Sequence, residues 1–140
     1  PITHWSLGPG EGWLMKVLQI VETAYRATLE EQDDPIIWIS HAMKGAGGDL
    51  DVVLVGNAVN FAVASQDATG LSFGDWRQSQ PPDLAGDIGG LISKGFKVFV
   101  VQDDLDKRGL RDTALVPGIE TLFRGRLPAL LSDYDQIWHW

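Results

Sequence analysis

Three aspartates, Asp103, Asp104 and Asp106, follow the apolar run K-V-F-V-V directly, with Lys107 and Arg108 behind them. Carboxylates gathered this closely can hold a hard cation such as Mg²⁺ through their oxygens. Acids behind a strand equally cap helices and solvate loops, and here Lys107 and Arg108 are at hand to neutralise them. An aspartyl phosphotransferase would need an acid nucleophile with specific partners. The string D-D-L-D does not by itself supply them.

Other chemistries lack their residues. Gly45, Gly47 and Gly48 precede an apolar run, whereas a dinucleotide fingerprint places its glycines between strand and helix. No P-loop string is present, so no cofactor is expected. His4, His41 and His139 do not have metal-ligand spacing, and a zinc site without cysteine would draw carboxylates from distant segments. No metal is expected on that ground. The serines do not sit in a nucleophile elbow. The cysteine count is zero, which excludes disulfides, thiolate metal sites and cysteine nucleophiles within the chain.

The elements that must position the aspartates alternate. Met15–Val21 is a mostly apolar run with the length of a buried strand. Asp34 and Pro35 read as an N-cap followed by proline at the first helical position. Ile36, Ile39, Met43 and Ala46 then keep helical spacing until Gly47 and Gly48, although β-branched Ile36–Ile39 leaves a strand open there. Asp51–Val55 is a second strand, followed by Gly56 and by Asn57 as the N-cap of a helix through Val59, Phe61, Ala62 and Val63. Ser65 to Pro82 has no period; loops this long are functional, interfacial or mobile.

Asp83 caps the cleanest helix, whose face is Leu84, Ile88, Leu91 and Ile92, and Gly95 ends it. Lys97–Val101 is the next strand, and Gln102–Arg111 is a polar turn or short helix. After Pro117–Gly118 come I-E-T-L-F, a helical piece near Pro128–Leu131, and the closing Q-I-W-H-W. Strands alternating with helices imply βαβ units and a parallel sheet with helices on both faces. Ligand sites in such sheets lie outside the carboxyl ends of the strands. Three ends stand out: Glu22–Arg26, Gly56–Asn57 and Gln102–Arg108.

The 140 residues fit one domain, expected over 14–140 behind an irregular arm over 1–13 rich in glycine and proline. In that arm, His4 and Trp5 are either a loosely attached tail or a subunit contact. A chain of this length buries roughly 68–70% of its unfolded surface and needs no metal or disulfide to fold. The net charge of −8 and the absence of a basic cluster argue against nucleic acid and anionic membrane as partners. No apolar run approaches the ~20 residues that span a bilayer. The opening residues do not read as a secretory signal. Together with the absence of disulfides this makes a cytoplasmic location the expectation. Trp38, Trp138 and Trp140 read as core or subunit contacts. Trp76, in F-G-D-W-R, is either core or a partner surface.

K-V-L-Q-I-V with the following Y-R, V-V-L-V-G-N-A-V, L-I-S-K-G ahead of K-V-F-V-V, then R-G-L, V-P-G-I-E and the closing D-Q-I-W-H-W occur in order from Met15 to Trp140. In this order and spacing they resemble the DsrE/DsrF-like sulfur-relay family, which includes DsrE, TusD and YchN-type proteins. The resemblance implies a three-layer α/β/α domain with five parallel strands in the order 4-3-2-1-5. It implies trimers or hexamers, alone or as hetero-oligomers with related subunits. Active members carry a persulfide on a cysteine in the turn after the fourth strand, and those positions fall on Val101 and Asp104 here. Persulfide transfer needs a thiolate, so sulfurtransferase activity is excluded for this chain.

Two functions follow from the resemblance and the residues together. One is a non-catalytic assembly or small-ligand-binding subunit related to sulfur relay, as DsrF- and DsrH-like subunits are. Its pocket would have Asp104 and Arg108 at the floor, with Asn57 and Tyr25 on the walls; Arg26 and Asp103 are the other candidates. The other is an enzyme with a repurposed acidic pocket of Asp103, Asp104 and Arg108, using a divalent metal.

Overall fold

The computed structural model describes residues 15–25, 34–67 and 69–140. Five of the apolar runs form one parallel sheet: β1 (Lys16–Val21), β2 (Asp49–Leu54), β5 (Val98–Val101), β6 (Glu120–Leu122) and β7 (Gln136–His139). The two remaining strands, β3 (Ser72–Phe73) and β4 (Trp76–Arg77), make a separate hairpin. The sheet order is β6-β5-β2-β1-β7. Counted along the chain within this sheet, that is 4-3-2-1-5, as the resemblance implied.

β1, β2, β5 and β6 succeed one another in the same direction across the sheet, so right-handed crossovers put their connecting helices on one face. The first two of those helices are α1 (Pro35–Gly45) and α2 (Leu84–Ser93), and the short α3 (Gln102–Lys107) follows β5. Ile36 and Ile37 of the first and Leu84, Ile88 and Leu91 of the second pack with Val17, Val21, Val52, Leu54, Val98 and Val100. The chain then returns from β6 to β7 beneath the other face. There Leu127, Leu130 and Leu131 of α4 (Leu127–Leu131), with Tyr134, pack near Leu18, Val53, Val55 and Val101. These are the three layers.

Both expected helix starts are present. The Asp34 carboxylate accepts from the Ile36 and Ile37 N–H groups at 2.9 and 3.3 Å, and Pro35 occupies the first turn. The Asp83 carboxylate accepts from the Gly86 N–H at 3.0 Å. Gly47, with φ +91°, takes the left-handed conformation that ends α1.

Two expectations are corrected. The segment Gly56–Ala62 is a 3-10 helix whose cap position is Val55, and no side chain caps it. The Asn57 side chain is turned to Arg108 instead (below). The stretch 65–82 contains the β3–β4 hairpin, with Phe73 stacked on Trp76 at 5.8 Å. Two-residue strands are too short to show a period. Of the two readings given for Trp38 and Trp76, exposures of 58% and 49% leave surface contact and not the core of this chain. Trp138 is half-buried against the core. The arm expected over residues 1–13, with His4 and Trp5, lies outside the described residues.

Polar groups inside the sheet are answered. Gln19 of β1 is fully buried. Its amide donates to the Ser40 Oγ at 2.6 Å and accepts from the Trp140 indole N–H at 3.0 Å, which ties α1 and the residue after β7 to β1. At the amino edge, the buried Asp51 accepts from the Lys97 N–H at 2.8 Å and from the Tyr134 hydroxyl at 2.6 Å. Burial, and then the hydrogen bond to the Asp51 carboxylate, pushes the Tyr134 phenol far above its ordinary value.

Candidate functional site

The carboxyl edge of the sheet is where the sequence placed its candidate residues. β5 ends at Val101 and turns without a gap into α3 (Gln102–Lys107), so the aspartates ride on a single short helix beside the ends of β2 and β6. Helical geometry spreads them around that helix, about 100° apart per residue. Each meets a different donor.

Asp104 points into the sheet edge and is only 3% exposed. Its Oδ2 accepts from the Gly56 N–H at 2.7 Å, at the point where β2 gives way to the 3-10 helix. Gly56 has φ +55°, a left-handed conformation that turns its N–H toward the helix. Both carboxylate oxygens also accept from the Arg124 guanidinium at 2.6 Å, Arg124 having been delivered by the end of β6. Burial on its own raises the Asp104 carboxyl. The Gly56 N–H, the Arg124 guanidinium and the nearby Arg108 charge outweigh it and hold the carboxyl below its ordinary value.

Asp103 Oδ1 accepts from the Arg124 backbone N–H at 2.7 Å. Asp106 accepts from the Gln102 amide at 2.7 Å and from Arg111 at 3.2 Å, and these two bonds hold its carboxyl below the ordinary value. Among the described residues, five of the six carboxylate oxygens in the cluster thus have a protein donor. Among the described residues no group of three His, Asp or Glu side chains is placed to hold a metal ion. The acids staple strand ends together; they do not face one another across a cage.

Arg108 closes α3. Its Nε and a terminal nitrogen donate to the Asn57 Oδ1 at 3.2 and 2.9 Å, and the other terminal nitrogen donates to the Asp104 carbonyl at 3.2 Å. Asp104, Arg108 and Asn57 are therefore brought together, with Asp103 joined through Arg124. Tyr25 stands after β1 with φ +58° and lays its ring edge-to-face on Phe61 at 5.3 Å. Burial raises its phenol. Arg26 lies outside the described residues. At the same edge His139 and Glu22 approach to 3.7 Å, an ion pair when the imidazole is protonated.

On the far side of α3 lies an open cleft of about 470 Å³ lined by Gln102, Asp106, Arg111, Thr121, Leu122 and Phe123. Of these only Asp106 was singled out as a candidate from the sequence, and Arg124 was missed as well. The available signal was I-E-T-L-F itself: a run behind a turn whose carboxyl end, Phe123–Arg124, belongs at the same edge as the others.

No family model matches the chain, and no curated protein matches it. Solved structures do. The YchN protein of E. coli superimposes with a TM-score of 0.67 at 14% identity, over 91% of this chain and 100% of that one. A protein of unknown function from Methanobacterium thermoautotrophicum gives 0.60 at 12% identity, over 89% and 98%. A conserved protein of unknown function from Bacteroides thetaiotaomicron gives 0.58 at 16% identity, over 89% and 95%. The chain has a DsrE-like fold. Of the two positions onto which the resemblance carries the family's cysteine, Val101 ends β5 and Asp104 lies in α3, so both follow the third strand of the sheet and not the fourth, β6; Asp104 is already bonded to Gly56 and Arg124.

Proposed function

We propose that this chain is a non-catalytic subunit of the DsrE-like type, serving assembly or small-ligand binding in intracellular sulfur metabolism, as one domain over 14–140. One observation carries the reading. At the sheet edge where a carrier would present a thiol, a buried carboxylate is tied down by a backbone N–H and a guanidinium, and the chain has no cysteine. A carboxylate so engaged cannot accept, hold or pass on sulfane sulfur, which needs a thiolate nucleophile. What remains for such a scaffold is to complete an assembly or to hold a ligand at its carboxyl edge.

The partners that fit are further copies of this chain, as a trimer or hexamer, or related subunits in a hetero-oligomer. Exposed Trp38, Ile137 and Trp140 support subunit contact. No helix among the described residues is long and apolar enough to cross a membrane; a cytoplasmic site of action suits the reading. Nucleic acid does not suit the −8 charge. Native mass spectrometry of protein drawn gently from its own cells is expected to show an oligomer and no sulfur adduct on this chain. Radiolabelled persulfide arriving on the chain from a donor protein would overturn the proposal.

A further inference from the structure

The small-ligand side of the proposed function does not say what the ligand is. Asp104 is buried, and the exposed Arg108 donates to the Asn57 Oδ1. An open space lies across α3, in the cleft between Gln102–Asp106 and the end of β6. It sits outside the carboxyl ends of β5 and β6, the position at which parallel sheets bind their ligands. Its volume of about 470 Å³ falls in the range of small-molecule sites.

Charge in this cleft is balanced. Asp106 and Arg111 are paired at 3.2 Å, one negative and one positive group in the wall. An anion would meet the Asp106 carboxylate, and a cation would meet the Arg111 guanidinium. A molecule without net charge meets neither penalty. Its polar partners are at hand. Gln102 spends its amide N–H on Asp106, which leaves its carbonyl oxygen as an acceptor, and Arg111 spends one nitrogen on the same carboxylate. Thr121 adds a hydroxyl that can donate or accept. The other wall is apolar: Leu122, and Phe123 with 63% of its surface open.

An aromatic face opposite donors and acceptors at balanced charge is the recognition set for a flat ring with polar edges. We propose that the cleft between α3 and β6 binds an uncharged planar heteroaromatic compound, stacked on Phe123, with its ring heteroatoms bonded by Gln102, Thr121 and Arg111. This rests on the small-ligand reading of the chain and narrows it to a ligand class.

Calorimetry and ligand-observed NMR on the full chain, with adenine, benzoate and benzamidine as neutral, anionic and cationic flat probes, test the proposal. Adenine is expected to bind and the two charged probes to bind at least tenfold more weakly. Phe123→Ala, at an exposed position, is expected to weaken adenine about tenfold or more, in line with the stacking lost. Thr121→Val is expected to weaken it severalfold without moving the thermal midpoint. Adenine failing to bind at millimolar concentration, benzoate or benzamidine outbinding it, or Phe123→Ala leaving its affinity unchanged would each overturn the ligand class. An intact oligomer in the same samples would leave the assembly reading standing, so the two failures are separable.

Discussion

Replacing Asp104 by alanine removes one carboxylate from the junction of three strands, and the structure sets the size of the effect. The carboxylate is 3% exposed and accepts from the Gly56 N–H at 2.7 Å and from Arg124 at 2.6 Å. A hydrogen bond to a charged acceptor contributes about 1.5–3 kcal/mol. The Arg124 partner adds little beyond that: its side chain is 51% exposed, and a pair with one end in solvent falls toward the ~0–1 kcal/mol of surface salt bridges. The Gly56 N–H, left part-buried without an acceptor, keeps the cost from falling further. We expect a loss of about 3 kcal/mol, or about 10 °C in thermal midpoint for a domain of this size.

Asp104→Asn retains an acceptor for Gly56 and should lose about half as much. The pH dependence has a definite sign. The folded-state carboxyl lies below its unfolded value, so its contribution is present above about pH 4 and disappears as pH falls through the lower folded value. Urea denaturation at pH 7 and pH 3, at one fixed protein concentration, should show wild type and Asp104→Ala converging in acid. A variant within 0.5 kcal/mol of wild type at pH 7, or a gap that stays constant down to pH 3, refutes the staple.

At the opposite edge, Tyr134→Phe deletes a 2.6 Å bond to buried Asp51 and should cost about 1.5–3 kcal/mol by denaturant melts. The Tyr134 phenol is raised far above its ordinary value, so ultraviolet titration of the folded protein should show one tyrosine that does not ionise before the chain unfolds. Gln19→Leu fits the volume of the core but leaves the Trp140 indole N–H without its acceptor, and about 1–3 kcal/mol should be lost. Trp140 fluorescence should shift at the same time, and an unshifted spectrum would count against the tie. Gly56→Ala places a Cβ at φ +55°, with Glu22 Cγ 3.1 Å away; the side chain can swing aside, so backbone strain dominates at about 1 kcal/mol, read from the thermal midpoint.

Much of the fold was legible because its signals are local. Three of the five sheet strands, β1, β2 and β5, follow runs dense in Val, Ile, Leu and Phe, because a strand buried on both faces of a parallel sheet is predominantly apolar. Asp34–Pro35 and Asp83 marked helix starts because a cap needs only its own side chain and the next few N–H groups. The 3-10 segment and the hairpin were not legible. Asn57 has the chemistry of a cap, but Arg108, 51 positions along the chain, claims its oxygen. β3 and β4 are two residues each and wholly exposed, so burial leaves no pattern in them.

The candidate site divides in the same way. Composition alone settles that no thiol chemistry runs through this chain, since a residue type that is absent cannot be supplied by folding. Alternation of apolar runs and capped helices was enough to place Asp103, Asp104 and Asp106 at the carboxyl edge of a parallel sheet. What those aspartates do there is decided by partners far away in sequence: Gly56, 48 residues from Asp104, and Arg124, 20 residues from it. Three acids in a row look alike in one dimension. On a short helix they point in different directions, and only the packing of β2, β5 and β6 selects which is buried against a guanidinium, which ties a loop, and which lines an open cleft.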